Sequence, residues 1–195
     1  MARTQAPDHH LQRDEILECA ASEFAKNSYP GTSMINLAMA CGTSKARLYH
    51  YYPSKEAILF DLLDRYTKAL IAIAEKHEDL PALILAFLTE YKHSRTRHIA
   101  LLNDLKFLEE PQRAVIVEAQ RKLVDLFADS IQRSYPDIGA TPNRGAITML
   151  LFGMINWTFT WLKPGQDSDM LSYADFAKMV TTIFMHGMDK LNSEH

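Results

Sequence analysis

Cysteine is nearly absent: Cys19 and Cys41 are the two in 195 residues. Their spacing matches neither a zinc ligand set nor a disulfide framework, so the fold is expected to stand without a metal or covalent staple. They read as small, reduced, apolar side chains, with a redox pair as the alternative. Also absent are a phosphate loop, a Gly-x-Ser-x-Gly elbow and a Gly-rich dinucleotide fingerprint, and with them the usual sequence signs of an enzyme. Eight histidines invite a metal reading, but His9 and His10 lie in the N-terminal tail. His93 and His98 are five residues apart and have no Cys or acidic partner at ligand spacing. No catalytic residue, metal or cofactor is therefore expected. The start, MARTQAPDHH, has no apolar core, so a signal peptide is not expected and the cytoplasm is the expected location. The uncharged run from Ala146 to Leu162 carries Asn156 and three threonines and falls short of the ~20 residues of a membrane span. Strand alternation, tandem repeats and low-complexity segments are missing too, which leaves an all-α chain. The net charge of −3 excludes a polybasic coat, so any nucleic-acid binding has to come from a local patch.

Such a patch exists where acid is missing. Between Glu23 and Glu56 there is no Asp or Glu, while Lys26, Lys45, Arg47 and Lys55 fall inside. The window contains TSMINLAMACGTSKARLYHYYPSK, residues 32–55. Ser33 is placed to cap a helix over Met34 to Ala40, with Thr32 as the other choice of cap. Gly42 can take the left-handed turn that ends this helix. Ser44 can cap a second helix from Lys45 through Tyr51, which Pro53 stops. Leu37 and Cys41 share one helix face, and Leu48 and Tyr51 share another. Lys45, Arg47, Tyr49 and His50 are left pointing outward, the face that a helix-turn-helix lays in the DNA major groove.

TSMINLAMACGTSKARLYHYYPSKEAIL resembles the DNA-binding segment of TetR-family transcriptional regulators. The likeness runs back through FAKNSYPGTS and forward into DLLDRY, covering roughly residues 12–66. It implies an all-helical homodimer with an N-terminal DNA-binding domain and a C-terminal ligand-binding domain. Asn36 and Leu37 stand where an acidic residue and an isoleucine are frequent, and Ala46-Arg47 replaces the usual small pair. On this reading Lys45, Tyr49, His50 and Lys55 meet phosphates. Thr32, Ser33 and Ser44 add hydroxyls or helix N-terminal amides, and Arg47 reads guanine bidentately. The DNA-binding domain is assigned to residues 1–55. Residues 56–195 form the ligand-binding and dimerisation domain, with a linking helix over about 55–78. The expected partner is a near-palindromic double-stranded operator. The alternative is a helical protein-interaction module with no role on DNA.

Helical periodicity continues to the C-terminus. After a polar tail over residues 1–9, a helix is expected from His10 to Asn27. Asp79-Leu80-Pro81 restarts the chain, with Leu83, Ile84, Phe87, Leu88 and Tyr91 on one helical face, and later helices are expected over about 96–108, 111–135, 142–162 and 172–191. In the 96–108 segment Ile99, Leu102, Leu105 and Phe107 are expected inward; in the next, Val115, Leu123, Leu126, Phe127 and Ile131. The last helix carries Tyr173, Phe176, Ala177, Val180, Ile183, Phe184, Gly187, Met188 and Leu191. With the uncharged helix before it, it offers more apolar surface than one small domain covers, hence a twofold dimer through these two helices. INWTFTWLKPGQ resembles a segment of TetR-family regulators of fatty-acid, steroid and aromatic-acid degradation, several of which sense acyl-CoA thioesters. That likeness implies a small-molecule effector of acyl-CoA type, with a free hydrophobic compound as the alternative. Phe87, Tyr91, Phe107, Phe127, Phe152 and Trp157 are the candidate cavity walls. Arg95, Arg97, Arg121 and Lys122 are the cations available to CoA phosphates.

Overall fold

The computed structural model describes residues 6–139, 142–162 and 171–193, and every regular element in them is helical. The chain divides into two compact units: residues 1–66 with 96–116, and residues 67–95 with 117–195. The helix-turn-helix assignment and the all-α class therefore hold at the level of elements.

In the first unit, α1 spans Ala6–Asn27, starting earlier than the polar tail led one to expect. Its buried face is Ile16, Leu17, Ala20, Ala21 and Phe24. Ser28 then takes a left-handed backbone, φ 62°. At Gly31 a Cβ would collide with the Asn27 carbonyl oxygen, so any other residue requires the backbone to shift. α2 spans Met34–Ala40 and α3 spans Lys45–Tyr51. Ser33, not Thr32, caps α2: its Oγ accepts from Asn36 N at 3.1 Å, and Asn36 Oδ1 accepts from Ser33 N at 3.1 Å. Gly42 makes the turn at φ 61°. Leu37, Ala38 and Leu48 close the hairpin onto α1 and the first half of α4, Lys55–Lys76, which buries Ile58, Leu59, Leu62, Leu63 and Tyr66. Each such large side chain contributes roughly 1.5–3 kcal/mol by leaving water.

α6, Arg95–Asp104, and the 3-10 turn Leu105–Phe107 belong mostly to the same unit. Their inward face is not the expected one. His98, Ala100, Leu101, Asp104 and Leu108 are buried, whereas Leu102 and Phe107 are exposed. Within α6 the buried stripe is His98, Leu101 and Asp104, off which Leu102 falls, and the 3-10 turn at Leu105 shifts the phase of Phe107 after it. The following helix, α7, spans Glu110–Ser134 and likewise buries Ile116 rather than Val115.

The second unit holds α5 (Leu80–His93), the rest of α7, the short α8 (Pro136–Gly139), α9 (Arg144–Asn156), α10 (Thr158–Trp161) and α11 (Tyr173–Ser193). α5 and α11 form its most extensive pair. Leu80, Leu83, Ile84, Phe87, Leu88 and Tyr91 meet Tyr173, Phe176, Ala177, Val180, Phe184 and Met188 in a common core. The expected single helix over 142–162 is broken at Trp157. There the hydroxyls of Thr158 and Thr160 donate to the carbonyls of Ile155 and Trp157 at 3.0 and 2.7 Å. Threonines that bond back to the chain in this way compete with the helical ladder. Among the described residues no helix is long and apolar enough to cross a membrane.

Candidate nucleic-acid interface

α3 is short, and its start is fixed by one side chain: Ser44 Oγ accepts from Arg47 N at 3.1 Å. Burial of Leu48 and the half-burial of Tyr51 turn the opposite face outward. That exposed face carries Lys45, Ala46, Arg47, Tyr49 and His50. Lys45 Nζ lies over the Tyr49 ring at 5.8 Å, and His50 packs edge-on against Tyr51. Neither α2 nor α3 has an acidic residue in its first turn, so no carboxylate of its own competes with a phosphate for the partly positive helix N-terminus.

Two of the eight residues proposed from sequence use their polar groups inside the protein. Thr32 is only 2% exposed, and its hydroxyl donates to the Ser28 carbonyl at 2.8 Å. Lys55 Nζ donates to the carbonyls of Tyr29 and Thr32, each at 2.7 Å, and lies 4.1 Å above the Tyr29 ring. Burial lowers its pKa, with the nearby Asp104 carboxylate acting the other way. Asp104 itself is buried, and that burial raises its pKa against the pull of the Tyr29 backbone, Lys106 and Lys55. Phe107 also stacks on Tyr29, with ring centroids 5.2 Å apart. Lys55 is thus a clamp on the turn before α2. Ser33 Oγ both accepts from Asn36 N and donates to Asn36 Oδ1, so its hydroxyl is engaged in the cap, whereas Ser44 Oγ accepts from Arg47 N and keeps its hydroxyl proton to give.

A second network ties α1 to the start of α4. Asp61 accepts from Tyr52 at 2.5 Å, from Arg13 at 2.9 Å and from Arg65 at 2.9 Å; Arg65 also pairs with Asp14. Burial pushes the Asp61 carboxyl up, but the Tyr52 hydroxyl and the two arginines outweigh it and leave its pKa below the ordinary value. Burial and the Asp61 hydrogen bond push the Tyr52 phenol up to about 12. The thiols of Cys19 and Cys41 hydrogen-bond to each other, and burial raises both, so they are poor nucleophiles.

Sequence reading missed three outward side chains here. Ile35 and Met39 on α2 are 53% and 74% exposed. Their signal was available, since they lie off the Leu37–Ala38 face. Gln12 of α1 is the third: its Oε1 accepts from Arg47 Nη2 at 2.6 Å and from the Tyr51 hydroxyl at 3.2 Å. Nothing local could have announced a pairing across 35 residues.

In the second unit four of the six proposed wall residues come together. Phe87 meets Tyr91 and Phe127 at 5.9 and 4.7 Å, and Phe127 meets Phe152 at 4.7 Å. At one end Tyr91 donates to Asn156 Oδ1 at 2.9 Å; burial raises the phenol's pKa. Phe107 belongs to the first unit, on Tyr29. Trp157 is 63% exposed at the helix break and stacks on Phe159. Of the proposed phosphate cations, Arg97 pairs with Glu18, Arg121 with Glu118 at 3.2 Å and Lys122 with Glu75 at 2.6 Å. Arg95 donates to the Phe159 carbonyl at 2.6 Å.

Comparison with known proteins accounts for both units. Residues 16–62 match the family described as bacterial regulatory proteins, tetR family, and residues 74–190 match the tetracyclin repressor-like C-terminal domain. Among curated proteins, the HTH-type transcriptional repressor KstR2 of Mycolicibacterium smegmatis is 27% identical over 175 residues, 82% of this chain and 85% of that protein. A TetR-family transcriptional regulator from Bordetella parapertussis superposes with a TM-score of 0.82 at 36% identity, covering 89% of this chain and 93% of that one. AibR in complex with isovaleryl coenzyme A and operator DNA superposes with a TM-score of 0.74 at 24% identity, covering 89% and 98%, a likeness of fold alone.

Proposed function

The chain belongs to the TetR family of bacterial regulatory proteins, and from that premise we propose how it reads DNA and what releases it. As a member of this family it is a DNA-binding transcriptional regulator and not an enzyme. The observation that carries the DNA reading is the exposed face of α3, with Lys45, Arg47, Tyr49 and His50 outward behind a serine-capped N-terminus. Arg47 is assigned to a base edge. Lys45, Tyr49 and His50 are assigned to phosphates, together with the Ser44 hydroxyl and the N-terminal amides of the two helices that Ser33 and Ser44 cap. Thr32 and Lys55 act from behind, holding the turn that aims α2. The DNA-binding domain is taken as residues 1–55, and the ligand-binding and dimerisation domain as the remainder. The protein acts in the cytoplasm as a repressor.

The dimer is proposed to form through α9 and α11. Met149, Leu150, Gly153 and Trp157 make an exposed strip along α9, and Met179, Ile183, Gly187 and Leu191 make another along α11. A Cβ on Gly153 or Gly187 would meet nothing within 4 Å, so both backbones are open to close approach by another helix. A twofold dimer presents two α3 helices to a near-palindromic operator.

The effector is proposed to be a small acid carried as its CoA thioester, its acyl part against Phe87, Phe127 and Phe152 and its carbonyl toward the Tyr91–Asn156 pair. An aromatic wall with one buried polar end suits an apolar chain that terminates in a carbonyl. AibR, of the same fold, is seen in complex with isovaleryl coenzyme A and operator DNA, which supports this reading. Release needs the effector to favour the DNA-free state; a ~100-fold preference supplies about 2.7 kcal/mol per site. The test is titration of the protein–operator complex with acyl-CoAs, the matching free acids and lipophilic cations. Release by thioesters supports the assignment, and release by free acids or cations alone contradicts it.

A further inference from the structure

Arg47 is not a free arm. Its Nη2 donates to Gln12 Oε1 at 2.6 Å, and the same oxygen accepts from the Tyr51 hydroxyl at 3.2 Å, one helical turn further along α3. The orientation of the Gln12 amide follows from chemistry, because a guanidinium only donates and so must face the oxygen. Gln12 Nε2 leans the other way, 3.5 Å from Glu15 Oε2 on the next turn of α1. Around the contact lies a cleft of about 130 Å³ lined by Gln12, Glu15, Cys41, Thr43, Arg47 and Tyr51. The guanidinium has five N–H donors, so giving one to Gln12 leaves a forked pair for the O6 and N7 edge of guanine.

We infer that Gln12 is a positioning residue for DNA reading: the α1 amide holds the Arg47 fork in the plane a base edge requires and sets the order of preference at that base step. This rests on Arg47 as the base reader. A long arginine side chain loses ~2 kcal/mol of rotamer freedom when it is fixed. A partner that fixes it before DNA arrives removes part of that loss from binding, and does so for the correct base alone. Random DNA, held through phosphates, gains nothing from it.

The experiment measures affinity for a selected operator and for random duplex DNA with wild type, Gln12→Ala, Arg47→Ala, the double variant and Tyr51→Phe. Gln12→Ala is expected to lower the operator-to-random ratio about fivefold, the scale of one net hydrogen bond, with affinity for random DNA and the salt slope unchanged. In the Arg47→Ala background the same substitution should change the ratio no further. Tyr51→Phe, which removes the other donor to the same oxygen, should leave the ratio within twofold. Equal loss on both DNAs, or a Gln12→Ala effect that persists without Arg47, overturns the inference while leaving Arg47 as the reader. An Arg47→Ala ratio equal to wild type removes the Arg47 reading and Gln12's role with it.

Discussion

Lys55 donates two hydrogen bonds to backbone carbonyls at 2.7 Å, while Arg47 stands exposed on α3, so two cations of one basic window have different tasks. Arg47→Ala is expected to weaken a selected operator by roughly 1–3 kcal/mol and random DNA far less; competition binding reads the difference. Lys45→Ala should weaken both about equally and lower the salt slope by about one. Lys55→Ala should instead lower folding stability by about 1.5–3 kcal/mol, as loss of charged hydrogen bonds does, with the salt slope kept. Thermal denaturation beside a salt titration separates the two kinds of cation. Asp61 gives a pH test. Its folded pKa is depressed, so its stabilising contribution is present above the ordinary carboxylate value of about 3.9 and is lost as pH falls through the folded one. Asp61→Asn should therefore be less stable than wild type at neutral pH, and the gap should close in acid. The capping roles of Ser33 and Ser44 were legible in the sequence because a cap reaches three residues. Those of Thr32 and Lys55 were not, because what they touch is backbone brought near by the Tyr29–Gly31 turn.

The pair α2–α3 follows its sequence closely: a serine before each helix, a glycine between them and apolar residues at helical spacing leave little choice. The two turn glycines should respond differently to alanine. At Gly42 only the left-handed φ is at stake and the added Cβ finds open space, so Gly42→Ala should cost about 1 kcal/mol. Gly31→Ala sets a Cβ against the Asn27 carbonyl oxygen, so the backbone itself must move and the loss should exceed that at Gly42. Denaturant unfolding of the two variants gives the comparison. α6 and the 142–162 segment were less legible. In α6 the apolar residue Leu102 was read as inward, but the buried stripe of the helix is His98, Leu101 and Asp104, which leaves Leu102 outside it; Phe107 lies in the 3-10 turn that follows, where the helical spacing no longer holds. Between Asn156 and Trp161, composition alone promised one continuous helix. The competing bonds of Thr158 and Thr160 become visible only when the backbone carbonyls have positions.

For the whole molecule, the sequence showed one long apolar stripe on the last helix, and the structure separates it into two. Phe184 is 7% exposed in the core with α5, and Ile183 is 58% exposed on the other side. Ile183→Asp should therefore convert the dimer to a folded monomer in sedimentation at micromolar concentration. A variant that stays dimeric would move the interface away from α11. Such a monomer, holding one α3 helix, should also lose most of its operator affinity, because the second half-site no longer adds to the first. The proposed effector site was the least legible part, because Phe87, Phe127 and Phe152 look in sequence like any other core aromatics, and in the structure they pack on one another in the core of the second unit. The claim beneath all of this is that a symmetric pair of α3 helices reads a specific duplex. The most direct measurement is selection by the purified protein from a pool of random duplexes, followed by sequencing of what is retained. The account predicts enrichment of one near-palindromic motif, its half-sites one helical turn (~10 bp) or a multiple apart, with Arg47→Ala losing preference at a single base step in each half. Retention of DNA with no enriched motif, or no retention at physiological salt, would contradict it.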